Sequence, residues 1–202
     1  MPGTLWSAPV PALSNNSLVI SPATGTLTDI SPAQVIINPP QLNVGTRVRL
    51  FSSGSYIATT TASSITLGFY MTSAAVATTA NPLVASSAVL GVGPSTAVGA
   101  VTAEWMAQYF GVITKISSPV IGTSNATIVG HGMVFWQTAV GGNFTVLAIP
   151  QTVAAATVIQ TGTTAFGMVT NIAQLVSIGA TVAVNTGLTS ITCDELTCEL
   201  LG

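Results

Sequence analysis

TAEWMAQYFGVITKIS, residues 102–117, contains one strict alternation: Trp105, Ala107, Tyr109, Gly111 and Ile113 stand against Met106, Gln108, Phe110, Val112 and Thr114. A period of two is the signature of a strand, whose successive side chains point to opposite faces. Here both sets are rather apolar. An ordinary half-solvated strand has one polar face, so this one is expected to be covered on both sides, as in a sandwich whose outer sheet packs on another subunit.

Working outward, the same texture recurs from Gly45 onward: short segments rich in β-branched and aromatic residues, punctuated by Gly, Ser and Asn. Strands are predicted over residues 46–52, 64–71, 84–90, 104–116, 126–136, 163–170, 175–184 and 190–200. Val48 and Leu50 alternate with Arg47, Arg49 and Phe51 in the first of them. Eight strands is the number a jelly roll uses. Residues 151–160 (QTVAAATVIQ) are Ala-rich enough for a short helix, with strand or loop equally open. No long amphipathic helix and no fixed-period repeat can be drawn. Residues 1–41 differ from the rest, because seven of the 11 prolines (Pro2, Pro9, Pro11, Pro22, Pro32, Pro39 and Pro40) lie there. Proline removes a ladder donor, so this part reads as an extended N-terminal arm. Trp6 and the run Leu18-Val19-Ile20 require the arm to pack on its own domain or on a neighbour. The expected organisation is thus all-β: an arm over residues 1–41 and an antiparallel sandwich over 42–202.

Charge narrows the function. Only 4% of the 202 residues are charged, against about 25% in typical domains. Three basic residues (Arg47, Arg49 and Lys115) face five acids (Asp29, Glu104, Asp194, Glu195 and Glu199). No basic face for a phosphate backbone can be built from these, so nucleic acid is not an expected partner. Weak electrostatic repulsion instead favours self-association. Arg47 and Arg49, two apart, share one face of a strand and are expected to serve a subunit contact. The mean hydropathy of +0.70 raises the question of a membrane. Residues 74–93 are uncharged but broken by Asn81, Pro82 and several hydroxyls, without basic flanks, so no membrane insertion is expected. The first 17 residues lack the basic and apolar regions of a secretory signal. Three Trp, three Tyr and six Phe are few for the two aromatic girdles of a membrane barrel.

Catalysis has little raw material. His131 is the one histidine, flanked by Gly130 and Gly132 at what reads as a strand start, and no G-x-S-x-G elbow accompanies it. Asp194 and Glu195 are adjacent, so a strand would point them to opposite faces. The stretch GVGPSTAVG, residues 91–99, lacks the lysine and following helix of a phosphate loop and reads as a connection between strands. Cys193 and Cys198 are too few for a zinc site. Five apart in a continuous strand, they would be about 16 Å apart on opposite faces, beyond the Cα reach of about 7 Å of a disulfide. They are expected as reduced, apolar thiols, in keeping with a reducing cytoplasm. No catalytic residue, cofactor or metal ligand is assigned, and the chain is not expected to be an enzyme.

Several consecutive pieces resemble the jelly-roll virion proteins of tailed phages, the capsid cement or decoration proteins and the head-fibre proteins. LNVGTRVRLFSSGSY (residues 42–56) resembles their opening glycine turn and strand, and SSITLGFYM (63–71) their second strand. Residues 102–117 resemble the long central strand that a Trp begins. IGTSNATIVGHGMVFW (121–136) follows the pattern of a Gly-Thr turn and two strands about a Gly, and SITCDELTCELLG (190–202) the closing strand. The resemblance implies a homotrimer of jelly rolls on the virion, assembled in the host cytoplasm, bound to the major capsid protein or a neighbouring virion protein. Two rival readings stand beside it: a tail or head fibre domain binding host carbohydrate through Tyr56, Tyr70 or Trp136, all three of which read equally well as core, and a shell-forming capsid protein, against which the lack of a basic arm counts. Scarce charge and the proline-rich arm depart from the family pattern. Trp6, Arg47, Arg49, Trp105 and Tyr109 are the expected interface residues.

Overall fold

A computed structural model of the chain describes residues 4–9, 27–32, 35–37, 41, 43–58, 63–73, 88–92, 96–98, 101–116, 126–137, 142–149, 157–159, 174–184 and 188–202. All regular elements among them are strands: β1 (Thr4–Pro9), β2 (Thr28–Asp29), β3 (Val35–Ile37), β4 (Arg47–Ala58), β5 (Ser63–Ser73), β6 (Ala88–Val92), β7 (Thr96–Val98), β8 (Val101–Ile116), β9 (Ala126–Gln137), β10 (Phe144–Ile149), β11 (Thr157–Ile159), β12 (Gln174–Val184) and β13 (Leu188–Leu201). Every pairing is antiparallel. One sheet runs β1-β13-β4-β8-β9-β10, with β11 also on β9. The other runs β2-β12-β5-β6, with β3 also on β12 and β7 also on β5. The chain crosses to the second sheet from β4 to β5, returns for β8 to β11, crosses again to β12 and ends in the first sheet at β13, so the pairs β4/β13 and β5/β12 lie one in each sheet. In the first sheet the last strand, β13, lies beside β4, giving the order β13-β4-β8-β9 for the four long strands.

The two sheets close on one core and form a β-sandwich. Val48, Leu50, Trp105, Tyr109, Ile113 and Val134 come from the first sheet, and Ile65, Leu67, Phe69, Val176, Ile178 and Val182 from the second. Phe69 meets Tyr109 across the layers at 6.4 Å between ring centroids, and Trp136 stands edge-on to Tyr56 at 5.7 Å within the first sheet. Inward rows of that sheet set small beside large: Cys193–Gly54–Trp105–Trp136 and Leu200–Val48–Gly111–Gly130. Gly54 is bare because the Trp105 indole lies over it, reaching from β8 across β4 to donate to the Thr192 carbonyl of β13 at 3.1 Å. Gly130 is bare because Tyr109 covers it. The glycines around His131 therefore mark the middle of a strand, Gly130 under an aromatic ring and Gly132 against the backbone of β8, where the sequence suggested a strand start.

The bulge between Cys193 and Glu195 changes another expectation. One extra residue reverses the alternation, so Cys193 and Cys198 both face inward, buried and unbridged, instead of taking opposite faces. The carbonyls it disturbs find side-chain donors: Thr192 takes the indole, and Glu195 takes the Ser52 hydroxyl at 2.8 Å. At the entrance to β4 a turn closes through Thr46 N–H to the Asn43 carbonyl at 3.0 Å, and Gly45 carries the left-handed φ of +92° it needs.

Seven of the eight expected strands overlap observed ones; residues 163–170 lie outside the described residues. Residues 91–99, read as a connection, carry the end of β6 and all of β7, and the described part of 151–160 is β11. What is described within residues 1–41 includes three short strands at sheet margins: β1 on β13, and β2 and β3 on β12. No helix among the described residues is long and apolar enough to cross a membrane.

Candidate functional site

The outward side of the first sheet holds the chain's most distinctive surface. The parity that sends Trp105 and Tyr109 inward sends Met106, Gln108, Phe110 and Val112 outward. Direct register partners extend them into rows: Ser53–Met106–Phe135–Val146, Phe51–Gln108–Met133–Ala148, Arg49–Phe110–His131 and Arg47–Val112–Val129. Phe51, Met106, Phe110, Met133 and Phe135 are half-buried, and Val112 and Val146 are exposed at 37% and 53%. Three phenylalanines and two methionines next to one another on a solvent-facing sheet are more apolar surface than a lone strand needs, and such patches mark contacts. Alternation makes the patch: each outward Phe or Met follows an inward core residue.

The two arginines lie at one end of this face. Arg49 donates to Glu199 at 3.3 Å and sits 5.6 Å above the centre of the Phe110 ring, which in turn leans on His131 at 6.2 Å. The pair with Glu199 is solvent-screened and contributes little to stability. Arg47, beside Leu201 and Val112, is exposed. Both arginines thus take the outward face they were expected to share. Trp105 and Tyr109 do not, and their assignment to an interface is corrected: they are fully buried on the inner face, because the larger aromatics of β8 fill the core. Trp6 lies opposite Leu200 in β1, and its side chain lies outside the described residues. Tyr56, Tyr70 and Trp136, the aromatics a sugar site would need, are also buried.

Chemical groups elsewhere remain apart. Asp29 Oδ1 accepts from the Ser31 amide at 2.9 Å and Oδ2 from the Ser177 hydroxyl at 3.3 Å, tying β2 to β12. Burial pushes its carboxyl above the ordinary range, against the opposing pull of those hydrogen bonds. It belongs to the second sheet, whereas His131 is exposed on the outer side of the first, so the two cannot form a catalytic pair. Burial also pushes the Cys193 and Cys198 thiols up to about 12, which removes the thiolate a nucleophile requires. Among the described residues no three of His, Cys, Asp and Glu gather as metal ligands do. The sequence signal for the outer patch was the second apolar set of β8. What it lacked was the register that adds β9 and β10 to it. No family model, curated protein or solved structure matches this chain.

Proposed function

We propose that this chain is a structural assembly protein: a capsid cement or decoration protein that trimerises through the outer face of its first sheet and stabilises the head of a tailed phage. The observation that carries the reading is the contiguous patch of Phe51, Met106, Phe110, Met133 and Phe135, half-buried on a face where solvent would otherwise wet it. Covering apolar surface contributes about 25 cal/mol per Å², so an interface on the order of 1,000 Å² outweighs much of the cost of association. Scarce charge adds little repulsion between copies. The nested pairs β4/β13 and β5/β12, one in each sheet, support a jelly-roll-like sandwich. Segments of residues 1–41 beyond the short strands would reach a neighbouring virion protein. The reading involves no catalysis.

Phe135→Glu tests it, since a charge at the centre of the patch should disperse the oligomer and leave the circular dichroism of the sandwich unchanged. An oligomer that survives the substitution would mean another surface is used. Closed particles formed by the chain alone would instead favour the shell-forming role. The fibre reading, with its buried aromatics, has no comparable observation behind it.

A further inference from the structure

At the end of the same face, where the apolar patch reaches Phe110, the rows Arg47–Val112–Val129 and Arg49–Phe110–His131 enclose a depression of about 320 Å³. Its volume is at the lower end of small-molecule sites, which run from about 300 Å³. Phe110, Val112 and Val129 give it apolar walls. The chain has three Lys or Arg residues and one His, and three of those four line this one depression. Glu199 offsets Arg49, while the Arg47 side chain has no ion pair or hydrogen bond among the described residues. A guanidinium beside an apolar wall matches a carboxylate head on an apolar body, because the planar fork takes both carboxylate oxygens and the walls take the hydrocarbon.

We infer that this depression binds a small amphipathic carboxylate, with its head on Arg47 and its body against Phe110, Val112 and Val129. Arg49 and the His131 ring stand behind the head, and neither supplies the primary contact. The inference does not rest on the assembly reading, but the depression shares Phe110 with the patch, so a second copy seated over Phe110 would compete with the ligand. A peptide strand would need a longer groove than these two rows provide, and a sugar would need more polar walls.

The test is a titration of the full chain with octanoate, followed by amide chemical shifts in two-dimensional NMR, with the molar mass monitored at each point. Saturable shifts at Val112, Val129 and His131 are expected. Acetate, which has the head without the body, and octanol, which has the body without the head, should each bind at least about tenfold more weakly. Arg47→Ala, at an exposed position, should weaken octanoate at least about tenfold and leave octanol unchanged. Val129→Glu should abolish octanoate binding by placing a like charge in the pocket. Equal affinity for octanoate and octanol, indifference to Arg47→Ala, or no saturable shift would each overturn the inference. A change of mass without these shifts would also overturn it, while bearing separately on assembly.

Discussion

Replacing Gly54 by alanine adds one methyl group at a place where three strands meet. A Cβ there would run into the Thr192 carbonyl oxygen and lie 2.8 Å from Trp105 Cζ2 and 2.9 Å from Cys193 Cα. Two of these neighbours are backbone, and the third is a ring held from both sides, so none can yield as a flexible side chain would. Overpacking of this kind costs about 1–3 kcal/mol. Displacing the indole would also cut its hydrogen bond and leave the Thr192 carbonyl buried without a donor, which costs about 1–3 kcal/mol more. The expected loss is therefore about 2–6 kcal/mol, a large share of the roughly 5–15 kcal/mol typical of a whole domain. Gly45→Ala is the matched control. No atom lies within 4 Å of its Cβ, so only the left-handed φ of +92° opposes it, at about 1–2 kcal/mol. Urea unfolding followed by tryptophan fluorescence measures both. If Gly54→Ala lowers the midpoint no more than Gly45→Ala, with equal slopes, the stacking of Trp105 over a bare strand does not hold this sheet together.

Other outcomes follow from the buried polar groups. Tyr109 Oη is buried with no hydrogen-bond partner among the described residues, so Tyr109→Phe should raise stability by about 1 kcal/mol in the same urea assay. Cys193 and Cys198, with thiols pushed up to about 12 by burial, should resist a thiol-specific reagent at pH 8 in the native state and react fully in guanidinium. The Asp29 carboxyl is raised above its unfolded value of 3.8, so the folded state holds that proton more tightly. Its contribution is fully present below pH 3.8 and is lost as pH rises through the native value. Asp29→Asn keeps an acceptor for Ser31 and gains a donor for Ser177. It should therefore gain stability relative to the parent as pH rises through that window, as chemical denaturation at a series of pH values would reveal.

The sequence carried much of this architecture because the long strands alternate cleanly. Val48 and Leu50 went in and Arg47 and Arg49 went out, as their spacing required. Where the reading failed, a tertiary contact had changed the rule. Cys193 and Cys198 share a face because of a bulge that no local pattern announces. Gly130 and Gly132 resemble turn residues until Tyr109 is seen to occupy the space above Gly130. Strands as short as β2, β3, β7 and β11 span too few residues to display a period at all. The candidate site was half legible. Alternation along β8 predicted two apolar faces, but which one was core depended on the partner sheet, so Trp105 and Tyr109, expected at the interface, proved to be core. The depression near Arg47 needed the register of β4, β8 and β9, which brings Arg47, Val112 and Val129 side by side from three distant parts of the chain.

The central claim is that the outer face of the first sheet is an assembly surface, and the absolute mass of the purified protein tests it most directly. Size exclusion coupled to light scattering should give about 61 kDa, three times the 20.3 kDa chain, as a closed trimer requires. A species that stays at the mass of one chain across the accessible concentration range would contradict it, leaving the row of Met106, Phe135 and Val146 without the partner proposed for it.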